Sequence, residues 1–262
     1  SYMNLKSDIP RDTKALQNRV PAVEKAIRIM QYIAGDGAGL TTKVIASQVE
    51  ASTSTCYRIL KTLEVAGWIS QDELGGFHLG NGLLPMVDAL SGQQRIVQIA
   101  RPVLEQIARE WKLTVKLAAA QGNDQVTIAV GSPEVPMGIL APVGIPYPVV
   151  EAVTGAALLS HLSDEKLERL IERTPPAHWK RHKPGDLRER VKQCRERGWC
   201  QNIGTNPQGM DAIACPLVIK GTHYALGFIG LRGDFEGELL AKQQAALMKA
   251  QRTLEQMLAK DE

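Results

Sequence analysis

The sequence predicts an α+β protein with two domains, and three observations support this fold class. Residues 40–79 have the pattern of two short amphipathic helices followed by a strand, a turn and a second strand. From residue 114 onward the hydrophobic period changes to that of strands, most of them joined by hairpin links. Helices are predicted at both ends of this second part, which is typical of an antiparallel sheet flanked by helices.

Length and composition are those of a globular protein with room for two cores. The chain has 262 residues, of which 44% are hydrophobic and 23% are charged. No apolar run approaches ~18 residues, so the sequence predicts no transmembrane helix and no membrane partner. The first residues lack the apolar core of a signal peptide, which favours a cytoplasmic location.

The formal net charge of +3 is unevenly distributed along the chain. Residues 1–92 contain nine Lys/Arg and nine Asp/Glu, whereas residues 93–262 contain 22 and 19. The first part therefore has no bulk positive charge that would by itself indicate nucleic-acid binding. Any case for DNA binding depends on where individual side chains fall.

A polar arm at residues 1–20 is predicted to be flexible, because its charges are mixed and its apolar residues follow no period. Its cations either reach phosphates or are simply solvated. Pro21 then opens an amphipathic helix that ends near residues 35–37. We expect this helix to pack behind the two short helices that follow it.

The second of the two short helices has one apolar and one polar face. Its apolar stripe, at helical spacing, consists of Cys56, Ile59, Leu60 and Leu63. The opposite face offers hydroxyls and cations that suit phosphate oxygens and base edges. These polar residues are Thr53, Ser54, Tyr57, Arg58 and Lys61.

A β-hairpin is predicted after these helices, with its turn at Gly75-Gly76 and its second strand at residues 77–79. Thr41 is predicted as the N-cap of the first short helix. Helix, turn, helix and hairpin in this order predict a winged helix-turn-helix over residues 21–80. The alternative is a small three-helix packing module that binds no ligand.

Residues 81–92 are predicted to form a short amphipathic helix that links the two domains. Gly80 and Gly82 permit a change of direction before it, and Ser91-Gly92 ends it. Its apolar face needs a partner, so this helix is either a plain linker or a dimer contact. The second domain is expected to span residues 93–262.

In the second domain we expect helices at both ends and five or six strands between them. A helix over residues 94–111 is predicted to kink or divide at Pro102. Strands are predicted at 114–120, 126–130, 137–143, 199–203, 210–219 and 224–231, with a Pro-rich loop at 144–148. Further helices are predicted at 151–161, from 164, from an Asp186 cap to 197, and at 236–260.

Several short motifs occur in the order and spacing of a known family. They are Tyr57-Arg58-Ile59-Leu60, Gly67-Trp68-Ile69, Phe77-His78-Leu79-Gly80, Ala100-Arg101-Pro102-Val103-Leu104, Thr154-Gly155-Ala156-Ala157-Leu158-Leu159, Arg197-Gly198-Trp199 and Gly209-Met210-Asp211-Ala212-Ile213-Ala214-Cys215-Pro216. With them, residues 20–258 resemble the IclR-type bacterial transcriptional regulators, named after the isocitrate lyase regulator. The resemblance implies a winged-helix DNA-binding domain joined by a linker helix to a GAF-like effector-binding domain. It also implies a homodimer, or a dimer of dimers, on palindromic double-stranded operator DNA.

The polar helix face and the resemblance together predict a set of DNA contacts. We expect Arg58 and Lys61 to reach phosphates or base edges, and the neighbouring hydroxyl residues to enter the major groove. The alternative is a solvated helix face without a ligand. The predicted DNA-binding residues are Thr41, Thr42, Thr53, Ser54, Tyr57, Arg58 and Lys61.

Positions that match the family imply a small-molecule pocket in the second domain. Strand alternation places Gly230 and Arg232 on one face, so Arg232 either holds a carboxylate in the pocket or is exposed at the strand end. On the first reading the effector is an organic or aromatic acid. The family usually has small hydroxyl residues near Gly230, and their loss here argues against its best-known effectors. The predicted effector-binding residues are Ile139, Tyr147, Val153, Thr154, Asn202, Met210, Ala212, Gly230 and Arg232.

No arrangement typical of catalysis or of metal binding stands out. There is no G-x-S-x-G motif, phosphate loop or pair of carboxylates, and His178 and His182 have no evident third ligand. The four cysteines are too scattered for a zinc site or a disulfide framework, and Cys200 is a reactive thiol only on the less favoured reading. We therefore predict no cofactor, no metal and no enzymatic activity.

The function predicted from these observations is that of a ligand-responsive transcription factor, a repressor or activator of a catabolic operon. The alternative is a small-molecule enzyme or a thiol-based redox sensor that uses its winged helix for protein contact. No nucleophilic side chain with a matching general base is evident in the sequence, and this disfavours the alternative.

Overall fold

The computed structural model describes residues 20–36, 40–134, 139, 141–179, 182–206 and 209–259. The chain separates into two compact units, one ending at Gly92 and the other beginning at Gln93. The predicted flexible arm lies outside the described residues, except for Val20. None of the helices in these ranges is long and apolar enough to cross a membrane.

The first unit has the element order predicted for a winged helix-turn-helix. Its helices and strands are α1 (Pro21–Asp36), α2 (Thr42–Gln48), α3 (Thr53–Val65), β1 (Ile69–Gln71), β2 (Phe77–Leu79) and α4 (Leu84–Ala89), with a 3-10 turn at Asn81–Leu83 before α4. The two strands pair antiparallel, with Ser70 opposite His78. The core between the helices and the wing includes large apolar side chains that are at most 2% exposed, namely Ile29, Ile45, Leu60, Ile69 and Phe77.

The ends of the short helices are held in different ways. Thr41 occupies the N-cap position of α2, as predicted, but its side chain makes no capping hydrogen bond. At α3 the cap is Ser52, whose Oγ accepts the backbone N–H of Thr55 at 3.2 Å. After α3 the chain turns at Gly67, which has a φ of +72°, a conformation that glycine adopts without strain. These features direct the chain from α3 into the wing.

The second unit is a six-stranded antiparallel sheet covered by helices on both faces. Its elements are α5 (Ser91–Trp111, beginning two residues before the division), β3 (Thr114–Gln121), β4 (Asp124–Gly131), β5 (Pro146–Pro148), α6 (Ala152–Leu159), α7 (Asp164–Arg173), α8 (Pro184–Arg197), β6 (Cys200–Asn202), β7 (Met210–Ile219), β8 (Thr222–Leu231) and α9 (Gly237–Ala259). The strand order is β5-β4-β3-β8-β7-β6. The α+β class and the antiparallel sheet are therefore as predicted.

Two apolar clusters cover the two faces of this sheet. On one face α5 and α9 pack through residues such as Leu104 and Leu254, both fully buried. On the other face α6, α7 and α8 pack through residues such as Leu158 and Leu187. Helix α6 lies close to the residue after β5, because a Cβ built at Gly155 would lie 1.8 Å from the carbonyl oxygen of Val149. It also lies close to β8, because a Cβ built at Gly227 would lie 2.7 Å from Cγ2 of Thr154. The small residues of α6 thus place its first turn next to the sheet.

Several predicted elements differ from the structure. The Pro-rich loop contains the edge strand β5, in which Tyr147 pairs with Gln125 of β4. The strand predicted at 137–143 falls partly outside the described residues, and its described positions are not in a strand. Asp186 is not the cap of α8: that helix begins at Pro184, and the Asp186 carboxylate instead accepts the backbone N–H of Lys183 at 2.7 Å. Helix α5 continues through Pro102 and is not divided there, in contrast to one of the two predicted outcomes.

Candidate functional site

Helix α3 presents a polar face to solvent. Thr53, Ser54, Tyr57 and Arg58 are all exposed, whereas Leu60 on the opposite face is fully buried. Arg58 has no ionic partner among the described residues. The helical spacing in the sequence therefore placed these side chains on the surface correctly, although their contacts with DNA stay a prediction.

Lys61 belongs to the same face but is engaged within the protein. Its Nζ lies 2.6 Å from Oε2 of Glu64 and 5.8 Å from the centre of the Tyr57 ring. The hydrogen bond to Glu64 raises the pKa of Lys61. Lys61 therefore keeps its positive charge, but Glu64, which lies beside the polar face, partly neutralises it.

The other predicted DNA contacts lie at the start of α2. Thr41 is exposed and Thr42 is half-buried. The wing, in contrast, contains no Lys or Arg in residues 69–79. Its turn carries Asp72, whose carboxylate lies 2.6 Å from Nε2 of His78 and accepts the N–H of Gly76 at 2.7 Å. These bonds lower the pKa of Asp72. The wing is thus stabilised by an anion, which does not favour phosphate contact there.

A cavity of about 300 Å³ lies in the second unit, on the sheet face that also carries α6. This volume is at the lower end of the range found for small-ligand pockets. Six of the nine predicted effector residues line it: Ile139, Tyr147, Val153, Asn202, Met210 and Ala212. The others that line it are Lys116, Thr127, Ala141, Pro142, Ile145, Glu151, Ala152, His182, Asn206 and Ile229.

The remaining three predicted effector residues do not line this cavity. Thr154 is fully buried behind it, with its Oγ1 3.4 Å from the hydroxyl of Tyr147. Gly230 lies on the opposite face of β8, since a Cβ built there would meet Leu113 at 2.6 Å. The cavity-facing residue of that strand end is its neighbour Ile229.

Arg232 does not line this cavity, and of the two predicted readings the structure has the exposed arginine at the strand end. The face of β8 that carries Gly230 packs towards the cluster formed with α5 and α9. Arg232 itself follows the strand, is exposed, and donates from Nη2 to the carbonyl oxygen of Asn206 at 2.6 Å. It therefore holds a loop of the cavity wall instead of pointing into the cavity.

The cation that does line the cavity is Lys116 of β3, which is 5% exposed. Its Nζ donates a hydrogen bond to the hydroxyl of Tyr147 and lies 4.9 Å from the centre of that ring. The sequence contained a signal for it, because a lysine stands inside the apolar strand Val115-Lys116-Leu117. The strand was predicted from the sequence, but the direction of the Lys116 side chain was not.

A hydrogen-bonded chain continues from this lysine away from the cavity. Thr154 Oγ1 donates to Gln125 Oε1 at 2.8 Å. The amide nitrogen of Gln125 then donates to the carbonyl oxygens of Glu151 at 2.7 Å and Pro148 at 3.3 Å. Both Thr154 and Gln125 are fully buried. The chain thus connects β3, β5, α6 and β4 around the cavity wall.

A second buried cation stands near another part of the wall. Arg190 of α8 is 4% exposed, and its Nη1 lies 3.4 Å from Nδ1 of His182. Its Nε and Nη2 atoms have no hydrogen-bond partner in the described structure. Burial lowers the pKa of Arg190. A guanidinium has no acceptor, so Nδ1 of His182 must accept and its other ring nitrogen carries the hydrogen.

Cys200 does not have the environment of a reactive thiol. Its Sγ is fully buried, 3.4 Å from the carbonyl oxygen of Val153. The neighbouring Cys194 thiol and burial raise the pKa of Cys200 well above its ordinary value. The thiolate is therefore disfavoured. Among the described residues, no group of three or more His, Cys, Asp or Glu side chains is placed to hold a metal ion, and His178 and His182 form no such group.

Comparison with known proteins gives two matches to family models. Residues 22–73 match the IclR helix-turn-helix domain, and residues 88–256 match the C-terminal domain of the bacterial transcriptional regulator IclR. The chain is 27% identical over 205 residues to the HTH-type transcriptional repressor AllR of Escherichia coli K12. This match covers 77% of the present chain and 76% of the repressor. The same repressor from Salmonella paratyphi A is also 27% identical, covering 77% and 75%.

Solved structures with the same fold include two from this group of regulators. The IclR protein of Thermotoga maritima superimposes with a TM-score of 0.66 at 18% identity, covering 90% of this chain and 98% of that one. An IclR homologue from Microbacterium hydrocarbonoxydans, solved in complex with 4-hydroxybenzoate, gives a TM-score of 0.65 at 20% identity, covering 92% and 100%.

Proposed function

Because this chain belongs to the IclR family of bacterial transcriptional regulators, we propose that it controls a catabolic operon in response to a small organic acid. In this proposal the polar face of α3 binds operator DNA, and the acid binds in the cavity of the second unit. The observation that carries the proposal is the buried ammonium of Lys116 in the wall of that cavity.

Lys116 favours an anionic ligand for a simple electrostatic reason. A buried ammonium has three N–H donors and no acceptor, and its hydrogen bond to Tyr147 uses one of them. Water is excluded from much of such a site, so an opposite charge on the ligand interacts more strongly than it would in solvent. Much of the remaining wall is apolar, including Ile139, Val153 and Ile229, which suits the hydrocarbon part of an organic acid.

An aromatic acid is the first member of this class to test. The Microbacterium homologue was solved with 4-hydroxybenzoate, an acid of one ring, and shares the fold of this chain. We expect isothermal titration calorimetry to detect binding of 4-hydroxybenzoate by the full chain. The substitution Lys116→Met should weaken it by about 10- to 100-fold, as expected when a charged hydrogen bond is lost.

Two variants make this experiment decisive. Lys116→Arg keeps the positive charge and should retain more affinity than Lys116→Met. Lys249→Met removes the same charge from an exposed position of α9 and should leave binding unchanged. Equal binding of the acid by wild type and Lys116→Met would exclude Lys116 as the group that binds the effector, and it would contradict the proposal of an acidic effector.

The DNA-binding part of the proposal depends on Arg58, an exposed cation of α3 without an ionic partner in the described part of the chain. Arg58→Ala should weaken binding to DNA from upstream of the protein's own gene by ~1–3 kcal/mol if the side chain reads a base. Fluorescence anisotropy at several salt concentrations separates the two kinds of contact. A phosphate contact reduces the salt dependence by about one charge, whereas a base contact relaxes sequence preference. An unchanged affinity would exclude both.

We further propose that the functional form is a homodimer or a dimer of dimers, in which effector binding alters the spacing of the two α3 helices. Apolar side chains that are more than half exposed support this, namely Val23 and Ile27 on α1 together with Leu84 and Leu90 around α4. A dimer is also what a palindromic operator requires. Light scattering with and without 4-hydroxybenzoate measures the assembly directly, and a monomer at micromolar concentration would contradict it.

A further inference from the structure

Three threonines of the described chain are almost completely buried, and they differ in what their hydroxyls contact. Thr114 donates from its hydroxyl to the carbonyl oxygen of Ile139 at 2.7 Å, and Thr154 donates to Oε1 of Gln125 at 2.8 Å. Thr127 is 2% exposed, and its hydroxyl makes no hydrogen bond within the described chain. A buried hydroxyl is normally paired, because leaving it unpaired costs free energy. Thr127 therefore needs a partner that the described chain does not supply.

The Thr127 hydroxyl opens onto the cavity of the second unit, which Thr127 lines. In the described structure, side-chain polar atoms that are both unpaired and sealed from any accessible space occur only on Arg190 and Gln243. The Thr127 oxygen is unpaired but not sealed, and so little of this residue is exposed that the space it touches is the cavity. A molecule in the cavity can therefore supply the missing partner.

The sheet places Thr127 between Lys116 and Tyr147, because β4 lies between β3 and β5. Thr127 pairs with Ala118, which is two residues along β3 from Lys116. Tyr147 pairs with Gln125, two residues before Thr127 on β4. Residues two apart on a strand share a face, so the three cavity side chains lie on the same side of the sheet. The hydrogen bond from Lys116 to Tyr147 thus crosses β4 on the face that carries the unpaired hydroxyl.

We propose that Thr127 is a ligand-binding residue that holds the carboxylate of the effector together with Lys116. The inference deepens the proposed function and rests on it. The two residues are diagonal neighbours on adjacent strands, a separation that a long side chain such as lysine can span. A carboxylate only accepts hydrogen bonds, so the remaining N–H groups of Lys116 and the O–H of Thr127 both donate to it. The ammonium attracts an anion from many directions, whereas the short hydroxyl fixes where the carboxylate lies.

Two substitutions of Thr127 separate ligand binding from a structural role. Thr127→Val keeps the branched shape without the hydroxyl, and Thr127→Ser keeps the hydroxyl without the methyl group. In the absence of ligand, Thr127→Val should unfold at the same temperature as wild type or higher, because an unpaired buried hydroxyl is removed. Thr127→Ser should unfold at a lower temperature, because buried apolar area is lost. Thermal denaturation of the full chain measures this order.

The affinity for 4-hydroxybenzoate, measured by calorimetry on the full chain, should follow a different order. Thr127→Val should weaken binding by about tenfold, the lower end of the range for a hydrogen bond to a charged group. Thr127→Ser should bind the acid about as tightly as wild type. A residue that acts only through packing would give the same order in both measurements. Thr222→Val, at an exposed position of the same unit, is the control and should change neither.

The outcomes distinguish the role of Thr127 from the proposed class of effector. An unchanged affinity in Thr127→Val, or an equal loss in Thr127→Val and Thr127→Ser, would overturn the role of Thr127. A clear fall in the unfolding temperature of Thr127→Val would contradict the unpaired hydroxyl on which that role depends. If Thr127→Val binds the acid as wild type does while Lys116→Met binds it weakly, the acidic effector stands and only the inference fails. No binding of the acid by wild type would overturn both.

Discussion

The two candidate sites use their cations in opposite ways. On α3 the cations are at the surface, where Arg58 has no ionic partner in the described part of the chain and Lys61 pairs with Glu64. In the sheet unit Lys116 and Arg190 are almost completely buried. Surface charges are screened by salt and cost little to maintain, whereas a buried charge is costly unless something compensates it. The first arrangement suits a long polyanion met from solvent, and the second suits a small anion held inside.

The largest effect is expected from a substitution in the core beneath the proposed DNA-binding face of α3. Leu60→Ala deletes a fully buried side chain beneath the polar face of α3 and should destabilise the first unit by ~2–5 kcal/mol. Anisotropy should show loss of DNA binding, while 4-hydroxybenzoate binding should persist, because the described cluster around Leu60 contains no residue of the second unit. Val65→Ala, on the same helix at a side chain 90% exposed, is the matched control and should unfold as wild type does.

A second test measures how much the burial of Arg190 lowers the free energy of unfolding. Its Nε and Nη2 have no partner in the described structure, so replacing the guanidinium with an apolar chain of similar length should stabilise the second unit. We expect Arg190→Met to raise the free energy of unfolding by ~1–4 kcal/mol, measured by urea denaturation. Arg252→Met at an exposed position of α9 should have almost no effect. A large loss of stability in Arg190→Met would show instead that the charge is compensated.

A third test sharpens the description of the surface site. Glu64→Gln removes the carboxylate that pairs with Lys61 and that a phosphate would meet nearby. DNA affinity should increase by about two- to threefold at low salt, and the gain should shrink as salt is added. Lys61→Met should change affinity in the opposite direction. A loss of affinity in both variants would indicate damage to α3, not a change in electrostatics.

The smallest expected effect concerns pH. The rings of His161 and His223 are stacked, with centres 3.7 Å apart. The pKa of His223 is lowered mainly by burial and to a smaller extent by the charge of His161. Below about pH 6.5 the unfolded chain therefore binds a proton that the folded chain resists, so stability falls as the pH decreases through that value until it passes the lowered pKa. Melting temperatures at pH 7.5 and 5.5 should differ less in His223→Gln than in wild type. An identical difference would exclude this contribution.

The elements that the sequence predicted best are those whose pattern is local. Strand β7 has the predicted limits, and the apolar stripe of α3 is buried at Cys56, Leu60 and Leu63. Strand β5 was missed because its two prolines are typical of a loop, yet an edge strand tolerates proline. The start of α8 was predicted three residues too late, at an Asp186 cap, because the sequence alone does not distinguish a cap from a carboxylate at the third helical position, which also stabilises the helix start.

The candidate cavity was predicted less completely than the surface. Six effector positions transferred from the family line it, but Gly230 and Arg232 lie elsewhere because alternation along β8 gives two faces without saying which one is hollow. Lys116 was missed for the same reason. Its side chain and the Tyr147 hydroxyl come from strands separated by β4, and no spacing along the chain predicts that they meet.

Residue order alone was enough for the class of fold, the helix-turn-helix and the outward direction of Arg58, because helical and strand periods are properties of neighbouring residues. The identity of the buried cation, the cavity around it and the hydrogen bonds of Thr154 and Gln125 arose only when distant strands were brought together. Burial is decided by the whole packed unit, and the chemistry of an inner site depends on which polar groups that packing forces into contact.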